Sequence, residues 1–163
     1  MHPPPAAPAE PEGLTSTDFP VHWPVLTRWA DNDMFGHLNN AVYYQLFDTA
    51  INGWITTTAG VDPLTMAELG VVAESGCRYL REVGFPDRLT VGLAVTRLGR
   101  TSVTYRLGVF EADAVGGPGA RRPLAALGHW VHVYVDRGSR RPVPVPGAVR
   151  AVLSTACVAD PPG

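Results

Sequence analysis

The apolar positions of the chain change their period along its length. Val21–Ala30 (VHWPVLTRWA), rich in Val and Trp, predicts a first strand, with Pro24 confined to an edge or to the strand's start. From Tyr43 the period becomes helical. Tyr43, Leu46, Phe47, Ala50, Ile51 and Trp54 fall at i, i+3, i+4, i+7, i+8 and i+11, a single apolar stripe. This predicts a helix over residues 40–57, about 25 Å long at 1.5 Å per residue, with Asn39 as N-cap and Gly60 and Pro63 beyond its end. The period then drops to two. Strands are expected at Val71–Leu80, Leu89–Leu98, Ser102–Glu111 and Leu124–Val135, with a tight Gly99-Arg100 turn between the second and third of these. Val103, Tyr105, Leu107 and Val109 alternate with polar or small residues, so one face of that strand is buried. Val131, Val133 and Val135 lie opposite Trp130, His132 and Tyr134. Pro142, Pro144 and Pro146 end the sheet, and a short turn or helix is expected over residues 147–153.

A strand, a long helix and four hairpin-connected strands predict an antiparallel α+β sheet with the helix on one face. Residues 1–20 hold six prolines and no apolar periodicity, so a disordered leader is expected there. One domain, residues 21–155, should follow, then a short flexible tail at 156–163. Ala114–Gly119 (AVGGPG) reads as a flexible connection.

Composition narrows the function classes. With 45% apolar and 17% charged residues the chain can build a sizeable core, and its net charge of -2 disfavours a nucleic-acid binder. No apolar run approaches the 18 residues of a membrane span and no signal-peptide pattern opens the chain, so a cytoplasmic location is expected. All 13 basic residues are arginine, which excludes lysine Schiff-base chemistry and a Walker A loop. Cys77 and Cys157 are too few for a disulfide scaffold or a four-thiolate zinc site, and are read as buried or incidental thiols.

The densest chemistry lies in Arg28–Asn40, RWADNDMFGHLNN. Two carboxylates, a histidine and several amides feed a helix N-terminus, where open N–H groups favour an anion or a developing oxyanion. A carboxylate beside such donors suits a nucleophile or general base. Turn and cap chemistry accounts for the same residue types equally well.

Arg28 to Tyr44 resembles the signature D-x-D-x-x-G-H-V-N-N-x-x-Y of hotdog-fold acyl-CoA thioesterases of the 4-hydroxybenzoyl-CoA thioesterase-like family, with Leu38 in place of Val. The resemblance continues through Arg78-Tyr79-Leu80-Arg81, Asp87-Arg88-Leu89, Leu98–Val103, Val131–Asp136 and Arg141-Pro142, and spans about residues 20–150. Glu82-Val83 stands where the family has a proline, and the stretch around Gly116 is richer in glycine than the family pattern.

The resemblance implies a hotdog fold, a five-stranded antiparallel sheet wrapped around one long central helix. It implies a homodimer with sheets joined edge to edge, often paired into a homotetramer, with active sites at the interface and an acyl-CoA substrate. Asp33 takes the place of the catalytic carboxylate, the oxyanion donor is a backbone N–H near Asn40, and Asp31 shapes the loop. No metal or redox cofactor is expected. A thioester carbonyl is electrophilic and its thiolate leaves readily, so Asp33 either attacks it or deprotonates water. His37 and Asn39 are assigned to shaping the loop or holding water, with His37 as a rival base.

Other residues compete for a role. Asp48 lies on the helix off the apolar stripe, where another hotdog subgroup carries its carboxylate. Glu74 is a pocket-lining residue or a strand-edge charge. His129 and His132 are three apart in a strand and face opposite sides, so they cannot share a metal. No serine sits in a G-x-S-x-G elbow, and the glycines around Gly116 do not match the dinucleotide fingerprint. Arg100, Thr101 and Ser102, on a hairpin tip, are assigned to the phosphates of CoA, although a solvated turn fits equally. The alternatives are a thioesterase acting on acyl carrier protein and a non-catalytic acyl-CoA or partner-binding domain.

Overall fold

The computed structural model describes residues 13–112 and 119–159. Its elements are β1 (Val21–Leu26), α1 (Val42–Ala59), β2 (Glu68–Tyr79), β3 (Arg88–Leu98), β4 (Ser102–Glu111), β5 (Ala126–Asp136) and α2 (Gly147–Ser154). The strands form one sheet in the order β1-β3-β4-β5-β2, every pair antiparallel. The five-stranded sheet with one long helix against it, expected from the motif resemblance, is the observed architecture.

β1 is an edge strand, so Pro24 removes no donor from the sheet interior. It stops at Leu26, four residues earlier than its composition suggests, because β3 begins at Arg88, opposite Leu26, and offers no partner beyond. In α1 the predicted stripe is buried: Phe47, Ala50 and Ile51 are wholly inaccessible, each large one contributing ~1.5–3 kcal/mol of burial. Gly60 ends the helix in the left-handed region at φ 65°, its N–H donating to Thr56 O. Asn39 is not the N-cap. The helix starts at Val42 after Ala41, and the Asn39 side chain instead accepts from Ala41 N–H at 3.0 Å, capping the turn before the helix.

α1 seats on the sheet where a strand lacks a side chain. A Cβ on Gly128 would lie 2.7 Å from the Phe47 ring. Around that contact Trp130, His132 and Tyr134 of β5 turn inward, against Val103, Tyr105, Leu107 and Val109 of β4. Val131 and Val133 take the outer face, half-buried.

The leader does not extend to Pro20. Phe19 is 4% exposed and covers the outer face of β3 and β4, in a cluster with Ala94, Phe110 and Leu124. Ser16 is buried, its N–H donating to Arg122 O (2.9 Å) and its hydroxyl to Ala120 O (3.1 Å). One phenylalanine among prolines and alanines has no periodicity, so its docking is invisible until the strands beneath it are assembled. The tail also begins later than expected. Val95 N–H donates to Ala156 O and Val158 N–H to Val95 O, extending β3's edge with a short parallel bridge. The rest of the expected leader (1–12), the tail's end (160–163) and residues 114–118 of the glycine-rich connection lie outside the described residues.

Candidate active site

Residues 31–39 fold back on themselves as a narrow hairpin between β1 and α1. Asp33 N–H donates to His37 O (3.0 Å) and Asn39 N–H to Asp31 O (2.9 Å). The tip is Asp33-Met34-Phe35-Gly36, with Gly36 at φ 89°, a conformation only glycine adopts at little cost. The half-buried Asp33 carboxylate accepts Phe35 N–H at 2.9 Å.

Both ends of the hairpin are tied. Asp31 is 3% exposed, and Arg28 grips it with Nη2 to Oδ1 at 2.7 Å, Nε to Oδ1 at 3.1 Å and its backbone N–H to Oδ2 at 2.8 Å. Those bonds from the Arg28 side chain hold the Asp31 carboxyl below the usual carboxylate range. This is the loop-shaping place expected for Asp31. At the other end, Tyr79 Oη donates to Asn40 O at 3.0 Å. Among the described residues no acceptor takes the backbone N–H of Asn40, which lies just ahead of the α1 N-terminus.

Asp33, His37, Asn40, Tyr43, Tyr79 and Leu80 line one cleft of about 470 Å³. Burial raises Tyr43 above its ordinary value and pushes Tyr79 up to about 12, so both phenols stay neutral. His37 Nε2 stands 3.6 Å from Glu82 Oε1 and its ring stacks on Phe35. A carboxylate and an apolar wall thus meet on one concave surface with Asn40, the residue whose N–H takes no acceptor among the described residues, an arrangement compatible with attack on an acyl carbonyl. A second cleft of about 450 Å³ lies between β1 and α1, lined by Leu26, Arg28, Gln45 and Thr49 among others.

Of the expected site residues, Asp33, His37 and Asn40 are brought together. Asn39 lies beside them but spends its side chain on the turn before α1. Arg100, Thr101 and Ser102 are not near. Their turn closes the far end of β3, about 33 Å along the strand from the Arg88 end beside the hairpin. Arg150 bonds that turn, Nη2 donating to Gly99 O (2.6 Å), and Arg100 itself is exposed. Asp48 is exposed, bonded to Asn52 Nδ2 at 3.0 Å and outside both clefts. Glu74 pairs with His129 Nε2 at 2.8 Å, away from Asp33. His132 is buried, as the opposite-face reading requires. Burial pushes the Cys77 thiol up to about 11, so it is no nucleophile at neutral pH. Among the described residues no group of three His, Cys, Asp or Glu side chains could hold a metal ion, and no helix is long and apolar enough to cross a membrane.

The sequence assigns Val83–Phe85 no role in the site, Val83 marking only part of a departure from the family pattern, yet this segment carries the hairpin: Leu38 N–H donates to Val83 O (2.8 Å) and Phe85 N–H to Asn32 Oδ1 (2.9 Å). Its one visible signal was the turn chemistry of Gly84-Phe85-Pro86-Asp87.

A profile of the thioesterase superfamily matches residues 35–116, half of the chain. No curated protein matches it. Among solved structures, the PA5185 protein of Pseudomonas aeruginosa is 39% identical, over 90% of this chain and 98% of that one, with a TM-score of 0.81. A thioesterase from Thermus thermophilus, complexed with coenzyme A and Zn, is 29% identical over 83% of this chain and 98% of its own, with a TM-score of 0.66. A 4-hydroxybenzoyl-CoA thioesterase variant complexed with 4-hydroxybenzoyl-CoA shares the fold at 17% identity and a TM-score of 0.67, over 82% and 97% of the two chains.

Proposed function

The chain belongs to the thioesterase superfamily and is a thioester hydrolase, and from that premise we propose that it cleaves acyl-CoA to a carboxylate and free CoA, with Asp33 as the acting carboxylate. The observation that carries this reading is that Asp33 lines the same cleft as Asn40, the residue whose backbone N–H takes no acceptor among the described residues. A carbonyl oxygen received by that N–H gains stabilisation as it turns into an oxyanion. One carboxylate oxygen of Asp33 is occupied by Phe35 N–H, which leaves the other to act. It either bonds to the acyl carbon, expelling the CoA thiolate and leaving a mixed anhydride for water to cleave, or takes a proton from the water that attacks. The thiolate leaves without a strong acid, so the chemistry requires neither metal nor redox cofactor.

The site also calls for a second copy of the chain. β2 offers a 12-residue outer edge along which Val72 and Tyr79, with the adjoining Leu80, are about half exposed, an edge suited to pairing. Two such edges joined antiparallel about a two-fold axis bring the Gly99–Ser102 turn of one protomer to the Asp33 end of the other. Arg100, Thr101 and Ser102 then serve the phosphates of the partner's substrate.

Thiol release from a panel of acyl-CoAs, acetyl to palmitoyl plus benzoyl, tests the reading, with the same acyl groups on acyl carrier protein beside it. Turnover of the carrier-protein series alone would transfer the activity to that substrate class. Single turnover in ¹⁸O-water tests the nucleophilic role, because label enters the Asp33 carboxylate only when water cleaves a mixed anhydride at the Asp33 carbonyl.

A further inference from the structure

We infer that Asn32 is a positioning residue of this site, its side-chain amide clamping the Asp33 hairpin to the backbone of Phe85. The inference rests on the reading of Asp33 as the acting carboxylate. Phe85 N–H donates to Asn32 Oδ1 at 2.9 Å, and Asn32 Nδ2 donates to Phe85 O at 3.4 Å. The amide therefore takes both backbone groups of Phe85, as a neighbouring strand would. Asn32 and Leu38 bridge the two legs of the hairpin, and Leu38 N–H donates to Val83 O at 2.8 Å. Both legs are thus bonded to a single three-residue segment.

That segment is built to receive them. A Cβ on Gly84 would stand 2.8 Å from Asn32 Oδ1 and 3.2 Å from both His37 Cα and Leu38 N, so the close approach requires glycine. Gly84 is held in turn, its N–H donating to Asp87 Oδ2 (3.0 Å) while Asp87 N–H donates to Gly84 O (2.8 Å). Thr27 Oγ1 donates to Asp87 O at 2.8 Å and closes the circuit back to the end of β1.

The clamp bears on chemistry through Asp33, one peptide away. Among the described residues, the hydrogen bond its carboxylate accepts comes from Phe35, inside the same tip. That bond shapes the tip but cannot place it relative to Asn40 at the helix start. The legs do so, and Asn32 is the leg residue next to the carboxylate. Aspartate would forfeit the donor, serine would fall short, and glutamine would overreach by a methylene. Because the two Asn32–Phe85 bonds are exposed, their loss should move the carboxylate without melting the fold.

The test compares Asn32→Ala, Gly84→Ala and Asp33→Asn on whichever acyl-CoA of the panel the parent turns over best. Asn32→Ala and Gly84→Ala are expected to lower kcat about 10- to 100-fold, the scale of an ångström-sized misplacement. KM should stay within about threefold and Tm within about 4 °C of the parent. Gly84→Ala disturbs the same contact from the opposite side, so the inference stays decidable if Asn32→Ala does not fold. In an Asp33→Asn background Asn32→Ala should add no further loss, since residues acting as one unit are not additive. If Asp33→Asn collapses while Asn32→Ala and Gly84→Ala keep kcat within about twofold, the clamp is overturned and the carboxylate reading stands. A multiplicative loss in the double variant, or losses that only track unfolding, overturns it as well. Should Asp33→Asn keep parental kcat, both readings fall.

Discussion

Gly92 and Gly108 face each other across β3 and β4, and the slot left by their missing side chains holds the ring of Phe19. A Cβ on Gly92 would stand 2.6 Å from that ring and one on Gly108 2.7 Å. Two glycines in neighbouring strands weaken a sheet by themselves. Here the ring replaces the side chains they lack and carries the N-terminal segment onto the outer face.

Phe19→Ala should therefore destabilise the protein by ~3 kcal/mol, the usual scale for deleting a buried ring, lowering Tm by about 10 °C. Deleting residues 1–19 should do at least as much, contrary to what a disordered leader would allow. Calorimetry on both variants checks this, and an unchanged Tm would mean the ring's packing contributes nothing in solution.

Asp33→Asn should lower kcat by about 100-fold or more while KM and the oligomeric state hold. The change is nearly isosteric, and the Phe35 N–H keeps an acceptor. Asp48→Asn is the control and should leave kcat within about twofold, because Asp48 lies outside the cleft. Steady-state kinetics on both variants decides between the hairpin and the helix as the home of the acting carboxylate.

A mixture of Asp33→Asn and Arg100→Ala chains should recover activity that neither homodimer shows on acyl-CoA. If Arg100 serves the partner's site, half of the sites in a hybrid dimer carry neither lesion. The single variants and the refolded mixture are assayed side by side at low substrate. A mixture no more active than the average of its parents would place Arg100 in its own chain's site or in none.

Acid should weaken the fold through His132. Trp130 Nε1–H donates to His132 Nε2 at 3.0 Å, which leaves the ring proton on Nδ1, and burial pushes the imidazole down to about 4. The unfolded chain takes up that proton near 6.5, so the contribution is complete above that pH. It is lost as pH falls from about 6.5 to about 4, and amounts to ~3 kcal/mol. Urea melts across this range should show a steep loss in the parent and a shallower one in His132→Phe. Parallel profiles would show that His132 takes up its proton as readily in the folded protein as in the unfolded chain.

Much was legible because its causes are local. The stripe from Tyr43 to Trp54 names the buried face of α1, since residues three and four apart share one side of a helix. The alternation in Ser102–Glu111 names both the limits of β4 and its buried face. Asp33, His37 and Asn40 lie within eight residues of one another, so the motif alone brings them to one surface. What the sequence could not show depends on contacts closed over long distances. Asn32 meets Phe85 53 residues on, and Phe19 finds its slot only when Gly92 and Gly108 have paired. Arg100 and Asp33 fall at opposite ends of β3, although a linear reading places both in one site. A lone side chain carries no period, and the partner that gives it a role exists only after the sheet has formed. Local periodicity and turn chemistry therefore determined the elements and the motif, while the long-range pairing of β3 decided where the motif points and what holds it there.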